Sequence, residues 1–139
     1  MSQSFLSSRA PEPVGPYVHA RKVGNLLFLA GLGPRAKGTR DITGVVLGDG
    51  GEVKSYDFEA QCRSVLDNVK IVLEDAGASL SDVVDVTVFL TNMRDDFATM
   101  NRIYAEYFGA APPTRTTVEV TRLPTPIAIE LKVIAELRD

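Results

Sequence analysis

Apolar side chains recur at two spacings along this chain, and the switches between them lay out its elements. Over residues 57–76 the step is three or four: Phe58, Cys62, Val65, Leu66, Val69, Val72 and Leu73 form one stripe. That predicts an amphipathic helix closed by Gly77 at its C-terminal cap. Phe97, Met100, Ile103, Tyr104, Tyr107 and Phe108 repeat the pattern, which predicts a second helix capped by Asp95 or Asp96 and ended by Gly109. Elsewhere the period is two or the apolar run is continuous. Residues 18–23 and 26–30 read as strands about a Gly24-Asn25 hairpin turn, and residues 42–47 and 53–54 as a strand pair about Gly48-Asp49-Gly50-Gly51. Val84, Val86, Val88 and Leu90 alternate with Asp85 and Thr87 in a half-buried strand.

Residues 112–133 supply the last two strands. In the first, Arg115, Thr117 and Glu119 fall on the face opposite Thr114, Thr116, Val118 and Val120. In the second, Glu130 and Lys132 oppose Ile127, Ile129, Leu131 and Val133, and Pro124 and Pro126 bound the bend between the strands. Strands so joined can bring Arg115 and Glu130 near one another. A fixed cation and a carboxylate at one cleft can hold an acidic substrate and move a proton; on a sheet surface the same two groups are only a structural ion pair. A sheet with both helices on one face is the α+β arrangement these elements suggest, in one domain over residues 1–139. Its other face needs a cover, which oligomerisation supplies. Residues 1–13, ending in Pro11-Glu12-Pro13, read as an irregular lead-in.

Composition narrows the function classes. A hydrophobic share of 45% and a charged share of 24% are those of a globular domain. A formal charge of −3 argues against non-specific nucleic-acid binding. No apolar run approaches the ~20 residues of a membrane span, and Met1-Ser2-Gln3-Ser4 lacks the basic and apolar regions of a secretory leader. The single cysteine suits a reducing compartment, so a cytoplasmic protein is expected. One histidine and one cysteine leave little for a zinc site, and no metal or cofactor is expected.

Three further features bear on chemistry. Gly31-Leu32-Gly33-Pro34-Arg35-Ala36-Lys37-Gly38 has the glycines of a phosphate loop, but Pro34 and the lack of a following helical pattern remove its strand–turn–helix context. Arg35, Lys37 and Arg40 can instead draw an anion to a nearby cleft, or form a solvated loop. Cys62 sits in the first helix's apolar stripe and reads as a small buried hydrophobe. His19, two residues beyond Tyr17, can share its face, either as a proton carrier near neutrality or as a structural side chain.

The landmarks together resemble a known family. They are Gly15-Pro16-Tyr17, Val23-Gly24-Asn25-Leu26-Leu27-Phe28, Asp75-Ala76-Gly77-Ala78-Ser79-Leu80-Ser81-Asp82-Val83-Val84, Asn101 with Tyr104-Ala105-Glu106-Tyr107-Phe108, and Pro113-Thr114-Arg115-Thr116-Thr117-Val118-Glu119-Val120 followed by Leu123-Pro124 and Ile129-Glu130. In this order they resemble the Rid family of reactive intermediate (imine/enamine) deaminases, also called YjgF or RutC-like, from about residue 10 to the C-terminus. The resemblance implies a chorismate-mutase-like α+β fold and a homotrimer with clefts between subunits. It implies that Arg115 holds the carboxylate of an imine or enamine substrate and that Glu130 positions the attacking water. Tyr17 and the backbone around Gly31 and Leu32 would line the cleft, and Thr117 stands where many members carry a cysteine that contacts substrate. Two departures are visible: Ala30-Gly31-Leu32 replaces a common Ser-Gly-Gln, and Thr117 replaces that cysteine.

The long segment 33–53, Thr114-Arg115-Thr116-Thr117 and Leu123-Pro124-Thr125-Pro126 are similar to the 2-aminomuconate deaminase branch, where Arg35 and Arg40 would meet a second carboxylate. Two other classes stand beside a deaminase. One is a trimer that binds and regulates without turnover. The other is an RNA-directed role, since some relatives are described as ribonucleases or translation inhibitors. The acidic balance and the absence of an aromatic–basic stripe weigh against RNA.

Overall fold

The computed structural model describes residues 2–36 and 41–138. Strand β1 is Ser2–Phe5, β2 Ala20–Val23 and β3 Leu26–Leu29. A separate pair follows, β4 Val45–Leu47 and β5 Val53–Tyr56. Helix α1 spans Phe58–Asp75, strand β6 Val83–Leu90, helix α2 Met93–Phe108, β7 Thr114–Glu119 and β8 Ile129–Glu136. The main sheet is ordered β1-β2-β3-β8-β6-β7, with β6 and β7 parallel and the other neighbours antiparallel. The parallel pair needs a crossover, and α2 provides it. Both helices lie on one face of this sheet, α1 against β8 and α2 against β6, so the α+β expectation holds.

The helical stripe of α1 is the centre of the core. All seven of its predicted apolar positions are buried, facing Val86, Val88, Leu131 and Val133 of the sheet. Each such aliphatic side chain contributes about 1.5–3 kcal/mol. The Asp57 carboxylate caps the N-terminus by accepting from the Ala60 N–H at 3.1 Å. At the other end the Ala78 N–H bonds to the Leu73 carbonyl and the Gly77 N–H to Glu74, a Schellman closure. Gly77 has φ +87°, which only glycine adopts cheaply.

Three boundaries differ from the sequence reading. The lead-in carries a strand: β1 pairs with β2, and is a short edge whose polar residues gave no alternating signal. Helix α2 starts three or four residues earlier than expected, with Asn92 as cap; its side-chain oxygen accepts from the Asp95 N–H, which leaves Asp95 and Asp96 in the first turn. In β6 the register shifts between Val83 and Asp85, turning Val83 inward and Val84 out to 41% exposure.

The second face of the sheet carries Glu130, Lys132, Thr87 and Phe89, with Leu26, Phe28 and Val118 also on it. Among the described residues no helix is long and apolar enough to cross a membrane.

Candidate functional site

Glu130 is the second residue of β8 and points away from the helices, since its neighbours Ile129 and Leu131 are buried against them. Leu32 exchanges both backbone hydrogen bonds with Leu131, at 2.9 and 3.0 Å, which lays Gly31 beside Glu130. A Cβ at Gly31 would sit 2.5 Å from Glu130 Oε2 and 3.0 Å from the carboxyl carbon, so any side chain there would displace the Glu130 carboxylate. Tyr17, Gly31, Arg35, Thr125, Ile127 and Glu130 border a half-open cleft of about 250 Å³. Within it, Glu130 accepts no hydrogen bond from any described residue, and burial alone pushes its carboxyl above the usual glutamate range. A carboxyl so placed holds and releases protons nearer neutrality, as a base acting on water needs.

Among the described residues the cation that borders this cleft is Arg35, whose guanidinium donates to the Glu12 carbonyl and forms no ion pair with Glu130. Tyr17 is 42% exposed, and its hydroxyl accepts from the Val14 N–H at 3.1 Å, which folds residues 14–17 into a lip. Lys37 and Arg40 lie outside the described residues.

Arg115 is not in this cleft. Strand β6 lies between β7 and β8, with Arg115 opposite Val86 and Glu130 opposite Phe89. Two strand spacings and three residues of rise place their Cα atoms about 14 Å apart, and their side chains leave opposite faces. The expected proximity therefore fails within one chain, and so does the structural ion pair. The physical reason is that α2 makes a parallel crossover, inserting β6 between the two strands that the proline-bounded bend joins.

Arg115 packs instead against α2. Its guanidinium carbon lies 4.8 Å from the centre of the Tyr104 ring and 5.8 Å from that of Phe97, and Nη1 approaches Met100 Sδ at 3.8 Å. Among the described residues no carboxylate pairs with it. Beside it, the Thr117 Oγ1 and Tyr104 hydroxyls are buried without a hydrogen-bond partner among the described residues. Burial pushes the Tyr104 phenol up to about 12, so it remains a neutral O–H. The result is a cation held by aromatic faces, its N–H fork uncommitted to any acid.

The Leu32 backbone pairs with Leu131 next to the cleft, while its side chain is 5% exposed and belongs to the core. His19 is 2% exposed and both ring nitrogens are committed: Nδ1 accepts from the Ser7 N–H at 2.9 Å and Nε2 donates to the Pro11 carbonyl at 2.6 Å. This neutral tautomer pins the lead-in across β2, leaving the ring no lone pair or proton to offer a substrate. Cys62 is fully buried, and its thiol is pushed up to about 12, as a structural hydrophobe's should be.

The fold places a carboxylate cleft on one face of the α+β sheet and an arginine held by aromatic rings on the other. Residues 7–137 match the family described as Endoribonuclease L-PSP. A RutC family protein of Pyrococcus horikoshii is 46% identical over 135 residues, covering 97% of this chain and 98% of its own. The 2-iminobutanoate/2-iminopropanoate deaminase of Escherichia coli (strain K12) is 38% identical over 141 residues, covering 99% and 100%. The crystal structure of E. coli TdcF with bound serine superposes with a TM-score of 0.83 at 33% identity, over 98% of this chain and 99% of that one. The chain belongs to this L-PSP family, also called the YjgF, RutC or Rid family.

Proposed function

We propose that this protein is a hydrolytic deaminase of reactive 2-imino and enamine acids, of the 2-aminoacrylate/2-iminopropanoate type. The observation that carries the reading is Glu130, a half-buried carboxylate with no hydrogen-bond partner among the described residues, raised above its ordinary range at the rim of a small cleft. The similarity to a 2-iminobutanoate/2-iminopropanoate deaminase supports it. So does the bound serine of TdcF, a small carboxylate-bearing ligand in a solved relative.

In the proposed reaction water adds to the electrophilic C=N carbon. Glu130 orients that water and takes its proton, then delivers it to the nitrogen. The carbinolamine collapses, its C–N bond breaks, and ammonia leaves a 2-oxo acid. Arg115 would hold the substrate carboxylate with two parallel N–H groups. Because Arg115 and Glu130 leave opposite faces of one sheet, the reading pairs Arg115 of one copy with Glu130 of another. A homotrimer with three inter-subunit clefts does this and also covers the Leu26, Phe28 and Val118 face. The test is ammonia release from a freshly generated 2-imino acid. Faster release than in buffer is expected; release no faster than buffer, with 2-aminomuconate as well, would overturn the reading.

A second substrate reading, 2-aminomuconate, is favoured by one observation: Arg35 borders the same cleft as Glu130 and has no carboxylate partner among the described residues. A dicarboxylate would place its second anion there. Arg35→Ala should then raise the KM for 2-aminomuconate about tenfold or more while leaving that for 2-iminopropanoate nearly unchanged, in line with one lost charge-assisted hydrogen bond. An unchanged KM for the dicarboxylate removes this reading.

A further inference from the structure

The cleft around Glu130 has two walls from distant parts of the chain, residues 31–35 after β3 and residues 127–130 at the start of β8. Helix α1 touches both with polar side chains. Gln61 is fully buried, and its Oε1 accepts from the Ala128 N–H at 2.8 Å. Asn68 is 8% exposed, and its Nδ2 donates to the Gly33 carbonyl at 2.9 Å and the Arg35 carbonyl at 3.1 Å. The two amides are seven residues apart, so they lie on one face of the helix and about 10 Å apart along its axis. They interrupt the apolar stripe at positions where a leucine would serve a plain core.

From this juxtaposition we propose that Gln61 and Asn68 are positioning residues: one rigid helix sets the separation of the cleft's walls, Gln61 through Ala128 and the Glu130 strand, Asn68 through the Gly33–Arg35 wall. The geometry is directional. Only the oxygen of Gln61 can receive the Ala128 N–H, and its Nε2 has no partner among the described residues, so a glutamate keeps the bond that matters. Only the nitrogen of Asn68 can serve two carbonyls, so an aspartate of equal size turns two attractions into two repulsions. Asn68 thereby places the backbone of Arg35, which links the brace to substrate choice under the deaminase reading on which its functional meaning rests.

The test needs no turnover. Amide hydrogen exchange and the NMR titration of the Glu130 side-chain carboxyl are followed in wild type, Gln61→Met, Gln61→Glu, Asn68→Leu and Asn68→Asp. In Gln61→Met, exchange at Ala128 should rise at least tenfold and the Glu130 midpoint should move toward that of an ordinary glutamate. Gln61→Glu should keep both near wild type. In Asn68→Leu and Asn68→Asp, exchange at Arg35 and Thr43, whose N–H groups bond within the same loop, should rise at least tenfold, with Val86 and Val88 unchanged. Wild-type exchange at Ala128, Arg35 and Thr43 in the apolar variants would overturn the brace. Raised exchange with an unmoved Glu130 midpoint in Gln61→Met would reduce Gln61 to a structural staple and overturn its positioning role. Failure of the wild type to release ammonia would sink the deaminase reading alone, because none of these readouts depends on it.

Discussion

Arg115→Ala is expected to lower kcat/KM for a 2-imino acid by about a hundredfold to a thousandfold, roughly 2.7–4 kcal/mol of lost transition-state stabilisation. The magnitude follows from what the side chain offers. Its guanidinium is steered by the Tyr104 and Phe97 rings and meets no carboxylate among the described residues, so its charge is available to a ligand. A bidentate pair with a carboxylate is among the stronger hydrogen-bonded contacts a protein makes. Arg115→Lys should still lose at least tenfold, because an ammonium cannot present two parallel N–H groups from that platform. The loss should fall mainly on KM, since the substrate carboxylate is the same in ground and transition states. Steady-state kinetics on both variants checks this, with thermal melting as control: the stacking lost in Arg115→Ala is worth only about 1 kcal/mol of stability. Wild-type kcat/KM in Arg115→Ala would remove Arg115 from the site.

Much of this architecture was legible before any coordinates. The α1 stripe is buried residue for residue, and the β7 and β8 alternation assigned Arg115 and Glu130 to the correct faces of their own strands. What alternation does not contain is strand order. Consecutive strands are neighbours more often than not, and that expectation put β7 beside β8, whereas the α2 crossover sends β7 to the outer edge of β6. The consequence is chemical, because it turns one supposed pair into two half-sites. Gln61 and Asn68 did leave a signal, as polar residues inside an apolar helical stripe. It was unread because a stripe is defined by its apolar members. For His19 the structural alternative is the one the fold supports. Its two-residue step from Tyr17 is real, but β2 begins only at Ala20, so no strand alternation relates the two side chains, and the Ser7 and Pro11 backbone engages both nitrogens.

Glu130→Gln should cost activity and gain stability, and the two effects share one cause. Burial, with no hydrogen-bond partner among the described residues, raises the Glu130 carboxyl above its ordinary range. On the activity side, the ionised form is the one that takes a proton from water. In wild type kcat/KM should therefore rise with pH through the raised value, later than for an exposed glutamate. Glu130→Gln should lose that acid limb together with about 10²–10⁴-fold in rate. On the stability side, the folded state holds its proton to higher pH than the unfolded chain does. Between the unfolded and folded values the native state binds more protons, so unfolding free energy falls as pH rises. The stabilising contribution of a protonated Glu130 is complete below the unfolded value and is lost through the folded one. Glutamine has the same shape and no charge to desolvate, so the variant should melt higher than wild type near neutral pH, and the gap should close in acid. Asp75, Glu59 and Glu106, whose carboxyls are held low by arginines, lose stability on acidification in both proteins, so the difference between the two melting curves isolates Glu130. Paired thermal melts across that range, beside kcat/KM profiles, decide it. A variant that melts at or below wild type near neutrality would show that Glu130 is satisfied by a partner in the folded protein, and an intact acid limb would assign the base elsewhere.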